Sequence, residues 1–237
     1  TNNQSQYFIM KRKKLNIGII GIGYLGKYHL EKFINHKQCN TKWIVDTNLD
    51  NIDLNGHDLI QKSSNYKEIL DHVDAISLVT PTKMHFKIAK FFLENKKHVL
   101  IEKPMTETVL QAEKLVDLAK KNKVILQVGH LERFNPVMKR LTKEISDPLF
   151  IEVHRLAKFN PRSTDVNVVF DLMIHDIDIV TTLMKKKIRT VSAFGKKIIT
   201  KSTDIANVRF EFVGGSVANL TASRISQKNE RKIRIFE

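Results

Sequence analysis

The chain has 237 residues, 42% of them apolar and 27% charged, enough apolar content for one large or two ordinary globular domains. The net charge is +15, but lysines outnumber arginines threefold, are scattered along the chain and come with no nucleic-acid-binding motif, so a dedicated nucleic-acid role is set aside. The single cysteine, Cys39, excludes an internal disulfide and fits a reducing, cytoplasmic setting, and no apolar run is long enough for membrane insertion.

Residues 1–9 read as an extension, with Met10 the natural start. The basic run at 11–14 imitates the start of a signal peptide, but no convincing cleavage site follows and the apolar residues after it read better as a strand. From there short apolar runs alternate with helical patterns. Strands are expected at 14–20, 42–46, 74–80, 98–103 and 124–130, and helices at 24–36, 85–97 and 107–122. Apolar runs buried on both faces with helices between them predict an α/β fold with a doubly wound parallel sheet, occupying 10–129. The character then changes. Strands are expected at 149–156 and 188–200, a helix at about 168–184, and a hairpin across Gly214-Gly215. Residues 130–237 therefore read as an α+β substrate and oligomerisation domain with a mostly antiparallel, open sheet. Its last residues, "RKIRIFE", read as a strand with nothing after it to pair, so truncation at the C-terminus is expected, and the open sheet face predicts a homo-oligomer.

"GIGYLG" at 21–26 places Gly21, Gly23 and Gly26 in the G-x-G-x-x-G spacing between a strand and a helix. The first glycine allows the tight turn, the second lets a pyrophosphate approach the backbone, and the third allows close helix–strand contact. Ile22, Tyr24 and Leu25 complete the loop. Asp46 ends the next strand, 20 residues beyond Gly26, where its carboxylate can accept ribose hydroxyls and repel a 2′-phosphate. Dinucleotide binding follows, with NAD favoured over NADP.

"IEKPM" at 101–105, "TPTKMH" at 80–85 and the D-x-x-x-H of Asp171 and His175 together resemble the Gfo/Idh/MocA family of NAD(P)-dependent sugar and cyclitol oxidoreductases. "GHLERFNP" (129–136), residues 154–179 and "KNERKIRIFE" (228–237) are most similar to its UDP-N-acetylglucosamine 3-dehydrogenase subgroup. That resemblance implies a UDP-sugar substrate oxidised at its 3-hydroxyl, with a pathway aminotransferase, as in lipid A amino-sugar synthesis, as a possible partner. Another sugar, a cyclitol or a UDP-uronate is the alternative, as is a dinucleotide-binding protein without catalysis. By motif position it also implies that Thr80, Pro81, Thr82 and His85 lie beside the cofactor, that Glu102 and Lys103 form an acid–lysine pair under the nicotinamide, and that Asp171 and His175 face the substrate. "ERFNP" nominates Arg133 and Asn135 for the substrate side, with the cofactor side as the alternative.

"DLMIHDIDIV" (171–180) is the least ordinary stretch. At about 100° per residue, Asp171, His175 and Asp178 share one helical face, while Asp176 points elsewhere and reads as a bystander. Such a stripe fits an internally paired cluster, a metal site completed by His130 or His154, or a catalytic face; the glycine loop favours the last, with no metal. Histidine's ordinary pKa suits the base of an alcohol oxidation. His175 is then the candidate base, oriented by Asp171 with Asp178 as support, and Lys103 steadies the alkoxide or shares the proton transfer. Arg155 and Arg162, just upstream, are candidates for a diphosphate. Arg224 and Arg231 read as surface or sheet residues, and His29 as structural or exposed.

Overall fold

The computed structural model describes residues 13–50, 52, 54, 56–160 and 166–237, so the extension at 1–9 and Arg162 lie outside the described residues. The chain divides into two compact units, Thr1–Gly129 and His130–Glu237.

In the first unit β1 (Leu15–Ile20) leads into α1 (Tyr24–Ile34), followed by β2 (Cys39–Val45), β3 (Gln61–Ser63), β4 (Ala75–Leu78), α2 (Thr82–Glu94), β5 (His98–Ile101), α3 (Val109–Asn122) and β6 (Leu126–Val128). The strands are all parallel, in the order β3-β2-β1-β4-β5-β6. This is the doubly wound Rossmann arrangement, whose order reverses between β1 and β4. Two apolar cores account for it. Ile17, Ile19 and Ile44 pack with Leu30 of α1. Ile20, Ile76, Leu78 and Ile101 pack with Phe92 of α2 and Leu115 of α3. Adjacent β1 residues Ile19 and Ile20 thus serve different cores, as the alternation of a strand buried on both faces requires. The switch point lies between the loops after β1 and β4, at the strand ends where ligands of this fold bind.

The second unit contains α4 (Pro136–Glu144), β7 (Phe150–Leu156), a π-helical turn (Val169–Met173) running into α5 (Ile174–Met184), then β8 (Ile188–Lys196), β9 (Ile205–Phe212), β10 (Val217–Ser223) and β11 (Glu230–Phe236). The five strands lie in the order β11-β7-β10-β9-β8; only β7 and β10 run parallel. β11, the "RKIRIFE" strand, pairs antiparallel with the earlier strand β7, from Glu230↔Leu156 to Phe236↔Phe150. Ile151, Val153, Val208, Phe210, Leu220 and Ala222 face a core closed by Ile179, Val180, Leu183 and Met184 of α5. Gly214 (φ 94°) and Gly215 (φ 89°) supply the left-handed backbone of the β9–β10 connection, where the Gly215 N–H donates to Phe212 O at 3.1 Å. β8 is exposed along its whole length, including Val191 and Phe194.

Candidate functional site

The functional residues named from the sequence fall on both units, and each set has its own geometry. In the first unit, Gly21 adopts φ 91°, and a Cβ there would fall 2.7 Å from Val79 O. A Cβ at Gly26 would collide with Gly21 O, so α1 can approach the loop only because that position has no side chain. Around Gly23 the opposite holds: a Cβ there meets no protein atom within 4 Å. Gly23 is the N-cap of α1, with no side-chain cap and no acidic residue in the first turn. An uncapped helix start beside open space is the cradle a pyrophosphate requires, so the residues present fit a dinucleotide.

Tyr24 and Leu25 are exposed on the rim, whereas Ile22 is buried. The Ile22 N–H donates to Asp46 Oδ2 at 2.6 Å, and the Asn48 N–H donates to Oδ1 at 3.0 Å. Asp46 therefore fixes the glycine loop as well as placing a carboxylate at the end of β2. Pro81 caps α2 and Thr82 opens it. His85 is buried, with Nδ1 3.0 Å from Pro104 O and Nε2 2.8 Å from Thr80 O. Its ring joins the loop after β4 to the turn after β5, and both nitrogens are engaged there.

Glu102 follows β5 and is 7% exposed. Oε2 accepts from the Lys103 N–H at 3.2 Å, and Oε1 lies 3.2 Å from His29 Nε2. Burial pushes this carboxyl up, but the hydrogen bonds from His29 and the Lys103 backbone, with the Lys103 charge nearby, outweigh it and hold it below the ordinary glutamate value. His29, read from the sequence as structural or exposed, also has Nδ1 2.8 Å from Ser77 Oγ. Sequence reasoning missed it because its partners lie on other elements. One signal was available: His29 precedes Leu30 on α1, beside the Gly26 and Leu30 positions that are buried.

In the second unit, Asp171 sits in the π-helical turn and His175 in the first turn of α5. Such turns recur at functional sites. The Asn167 side chain accepts from the Val169 and Phe170 N–H groups, both at 3.0 Å, and so caps this segment. Asp171 lines a cavity of about 440 Å³ together with Lys158, Phe159, Asn160, Leu172 and Asn229. Its polar groups suit a hydroxylated or anionic ligand.

The arginines are placed differently from expectation. Arg155, expected to reach a diphosphate, is 6% exposed, and its Nε donates to both carboxylate oxygens of Asp176 at 2.8 and 2.9 Å. Asp176, expected to be a bystander, is 2% exposed. Its burial raises its pKa above the ordinary aspartate value even with Arg155 beside it. Both corrections have one cause: a buried guanidinium requires a buried carboxylate. Asp178, expected to support His175, accepts from Arg133 Nε at 2.9 and 3.0 Å. That bond raises the Arg133 guanidinium further. Arg133, expected on the substrate side, is thereby tied to α5. Asn135, expected there too, is the N-cap of α4; its Oδ1 accepts from the Val137 N–H at 3.0 Å. With Pro136 at the first helical position it reads locally as a helix start. Arg224, expected at the surface or in the sheet, is buried and paired with Asp204 at 3.3 Å. His154 lies between Glu152 and Glu230, and among the described residues no group of three or more His, Cys, Asp or Glu could hold a metal ion.

The oxidoreductase-family model of an NAD-binding Rossmann fold matches residues 15–130, and the GFO/IDH/MocA C-terminal domain matches residues 143–236. The chain belongs to the Gfo/Idh/MocA oxidoreductase family. It is 34% identical over 224 residues to UDP-N-acetylglucosamine 3-dehydrogenase of Acidithiobacillus ferrooxidans, covering 94% of this chain and 71% of that protein. A solved structure of UDP-N-acetylglucosamine 3-dehydrogenase from Acidithiobacillus ferrooxidans superposes with a TM-score of 0.87, covering 94% of this chain and 74% of the other. The scyllo-inositol 2-dehydrogenase (NAD(+)) of Bacillus subtilis is 26% identical over 233 residues, covering 90% of this chain and 68% of that protein. The chain is thus a dehydrogenase of this family, built on an NAD-binding Rossmann fold. Among the described residues no helix is long and apolar enough to cross a membrane.

Proposed function

We propose that the chain is an NAD-dependent dehydrogenase that oxidises the 3-hydroxyl of a UDP-sugar, UDP-N-acetylglucosamine first among them. The observation that carries this reading is the open cradle at Gly23 in a chain 34% identical to a UDP-N-acetylglucosamine 3-dehydrogenase. NAD supplies the hydride acceptor when bound. Gly21, Gly23 and Gly26 admit its pyrophosphate to the start of α1. Asp46 takes the ribose hydroxyls, and its negative charge disfavours a 2′-phosphate. Thr80, Pro81 and Thr82 line the loop beside it.

His175 accepts the proton of the sugar O3, Asp171 orients it, and Lys103 holds the developing alkoxide by charge and hydrogen bond. The polar cavity at Asp171, with Lys158, Asn160 and Asn229, takes part of the sugar nucleotide. A cyclitol is the second reading, favoured by the inositol dehydrogenase among the relatives. The chain self-associates through β8, whose outer edge has no partner strand among the described residues. An aminotransferase that consumes the 3-keto product fits this chemistry.

The test is reduction of NAD with UDP-N-acetylglucosamine, other UDP-sugars, free sugars and inositols in parallel. NADH formed with the UDP-sugar alone supports the reading; NADH formed only with an inositol replaces it with the second.

A further inference from the structure

The geometry points to His29 as a positioning residue for Lys103, acting through Glu102; this role rests on the reading of Lys103 as a group of the reaction site. The Ser77 hydroxyl on β4 is fully buried and lies 2.8 Å from His29 Nδ1. His29 Nε2 lies 3.2 Å from Glu102 Oε1, and Glu102 Oε2 accepts the Lys103 N–H. One neutral tautomer satisfies the whole chain. The Ser77 O–H donates to Nδ1, and the Nε2–H donates to the carboxylate; the tautomer is assigned from these partners.

The space around the carboxylate is equally specific. A Cβ on Gly129 would fall 2.6 Å from Glu102 Oε1, so the end of β6 has no side chain where the carboxylate sits. Glu102 is thus bounded by His29 from α1, by its neighbour's backbone, and by Gly129. His29 lies on the helix whose first residues form the phosphate cradle. The Ser77–His29–Glu102 chain therefore ties the cradle helix to the turn that carries Lys103. A simple packing role for a histidine does not call for two polar partners, one on β4 and one just after β5. Removing the ring leaves a buried carboxylate short of one donor, and the least costly response is for Glu102 to turn, taking the Lys103 backbone with it.

The test compares His29→Leu with His29→Gln, whose amide can still donate towards Glu102, in the full chain. With a turned-over substrate, His29→Leu lowers kcat by about tenfold or more while the KM values and NADH affinity stay within about threefold, because misplacing a reacting group costs rate more than binding. His29→Gln recovers most of the loss. Combining His29→Leu with Glu102→Gln adds little to either alone. A readout independent of any substrate is the rate at which Lys103 in the apo-protein reacts with acetic anhydride, followed by peptide mass. His29→Leu changes that rate, and His29→Gln restores it. A merely structural role predicts a lower Tm with kcat and Lys103 labelling unchanged, and that result overturns the proposal, as does Gln behaving like Leu. If the wild type turns over no substrate while Lys103 labelling still follows His29, the proposed reaction fails and the positioning role stands.

Discussion

The Arg155 guanidinium donates to both oxygens of the Asp176 carboxylate, and both residues are almost wholly buried. This pair fixes β7 against α5 beneath the segment that carries Asp171 and His175. Removing one partner strands the other's charge in the core. Arg155→Met should therefore cost about 3–5 kcal/mol in urea unfolding, whereas Arg155→Met with Asp176→Leu should recover most of it. Equal destabilisation by the single and the double variant would show that the pair is not the controlling interaction.

The two glycines of the loop make opposite predictions. Gly23→Ala places its methyl in open space, so it should change stability by at most about 1 kcal/mol, the scale of an N-cap exchange. NADH affinity should nonetheless fall about tenfold or more, a loss of about 1.4 kcal/mol. Gly26→Ala should lower Tm even without ligand, because its methyl meets Gly21 O. Thermal unfolding with and without NADH separates the two effects.

Asp46 should set cofactor preference. Wild type should bind NADH more tightly than NADPH by about a hundredfold, the scale of a like charge held against a phosphate. Asp46→Asn keeps an oxygen for the Ile22 N–H and removes the charge. It should narrow the preference without a large change in Tm, as read by titrating both nucleotides. An unchanged preference would remove Asp46 from that role.

Much of this was legible in the sequence for a physical reason: the β1–loop–α1 unit repeats local rules of periodicity and glycine spacing. β3 was not, since Gln61–Ser63 is short and polar and its place is set by register with β2. Asp176 does point away from Asp178, but its burial was not legible, because the guanidinium it pairs with, Arg155, lies on β7. The pairings Arg133–Asp178 and Ser77–His29–Glu102 join separate elements, so no spacing announces them. The glycine loop, in contrast, announces itself by spacing within one strand–loop–helix unit, with Asp46 at the end of the next strand holding it.

Asp204 should govern acid stability. Burial pushes its carboxyl up, but the Thr200 hydroxyl and the N–H groups of Thr200, Ile198 and Ile199 hold it far below the ordinary aspartate value. A carboxylate depressed in the folded state contributes stability that is complete above its unfolded pKa, about 3.9, and is lost as pH falls through the folded value. Asp204→Asn should flatten the fall in unfolding free energy below about pH 4 and cost about 3–5 kcal/mol at neutral pH, since Arg224 loses its counter-charge. The same acid slope in wild type and variant would assign it to other carboxylates.

The measurement that bears most directly on the central claim is NADH absorbance when wild type, His175→Ala and Lys103→Ala are each given NAD and UDP-N-acetylglucosamine, with the sugar nucleotide's mass followed in parallel. Wild type should form NADH with loss of two hydrogens from the sugar nucleotide, and each variant should lower kcat by about a hundredfold or more, the scale of a lost general base or charge stabiliser. NADH binding by wild type with no NADH formed from any UDP-sugar, or turnover by both variants near the wild-type rate, would contradict the account.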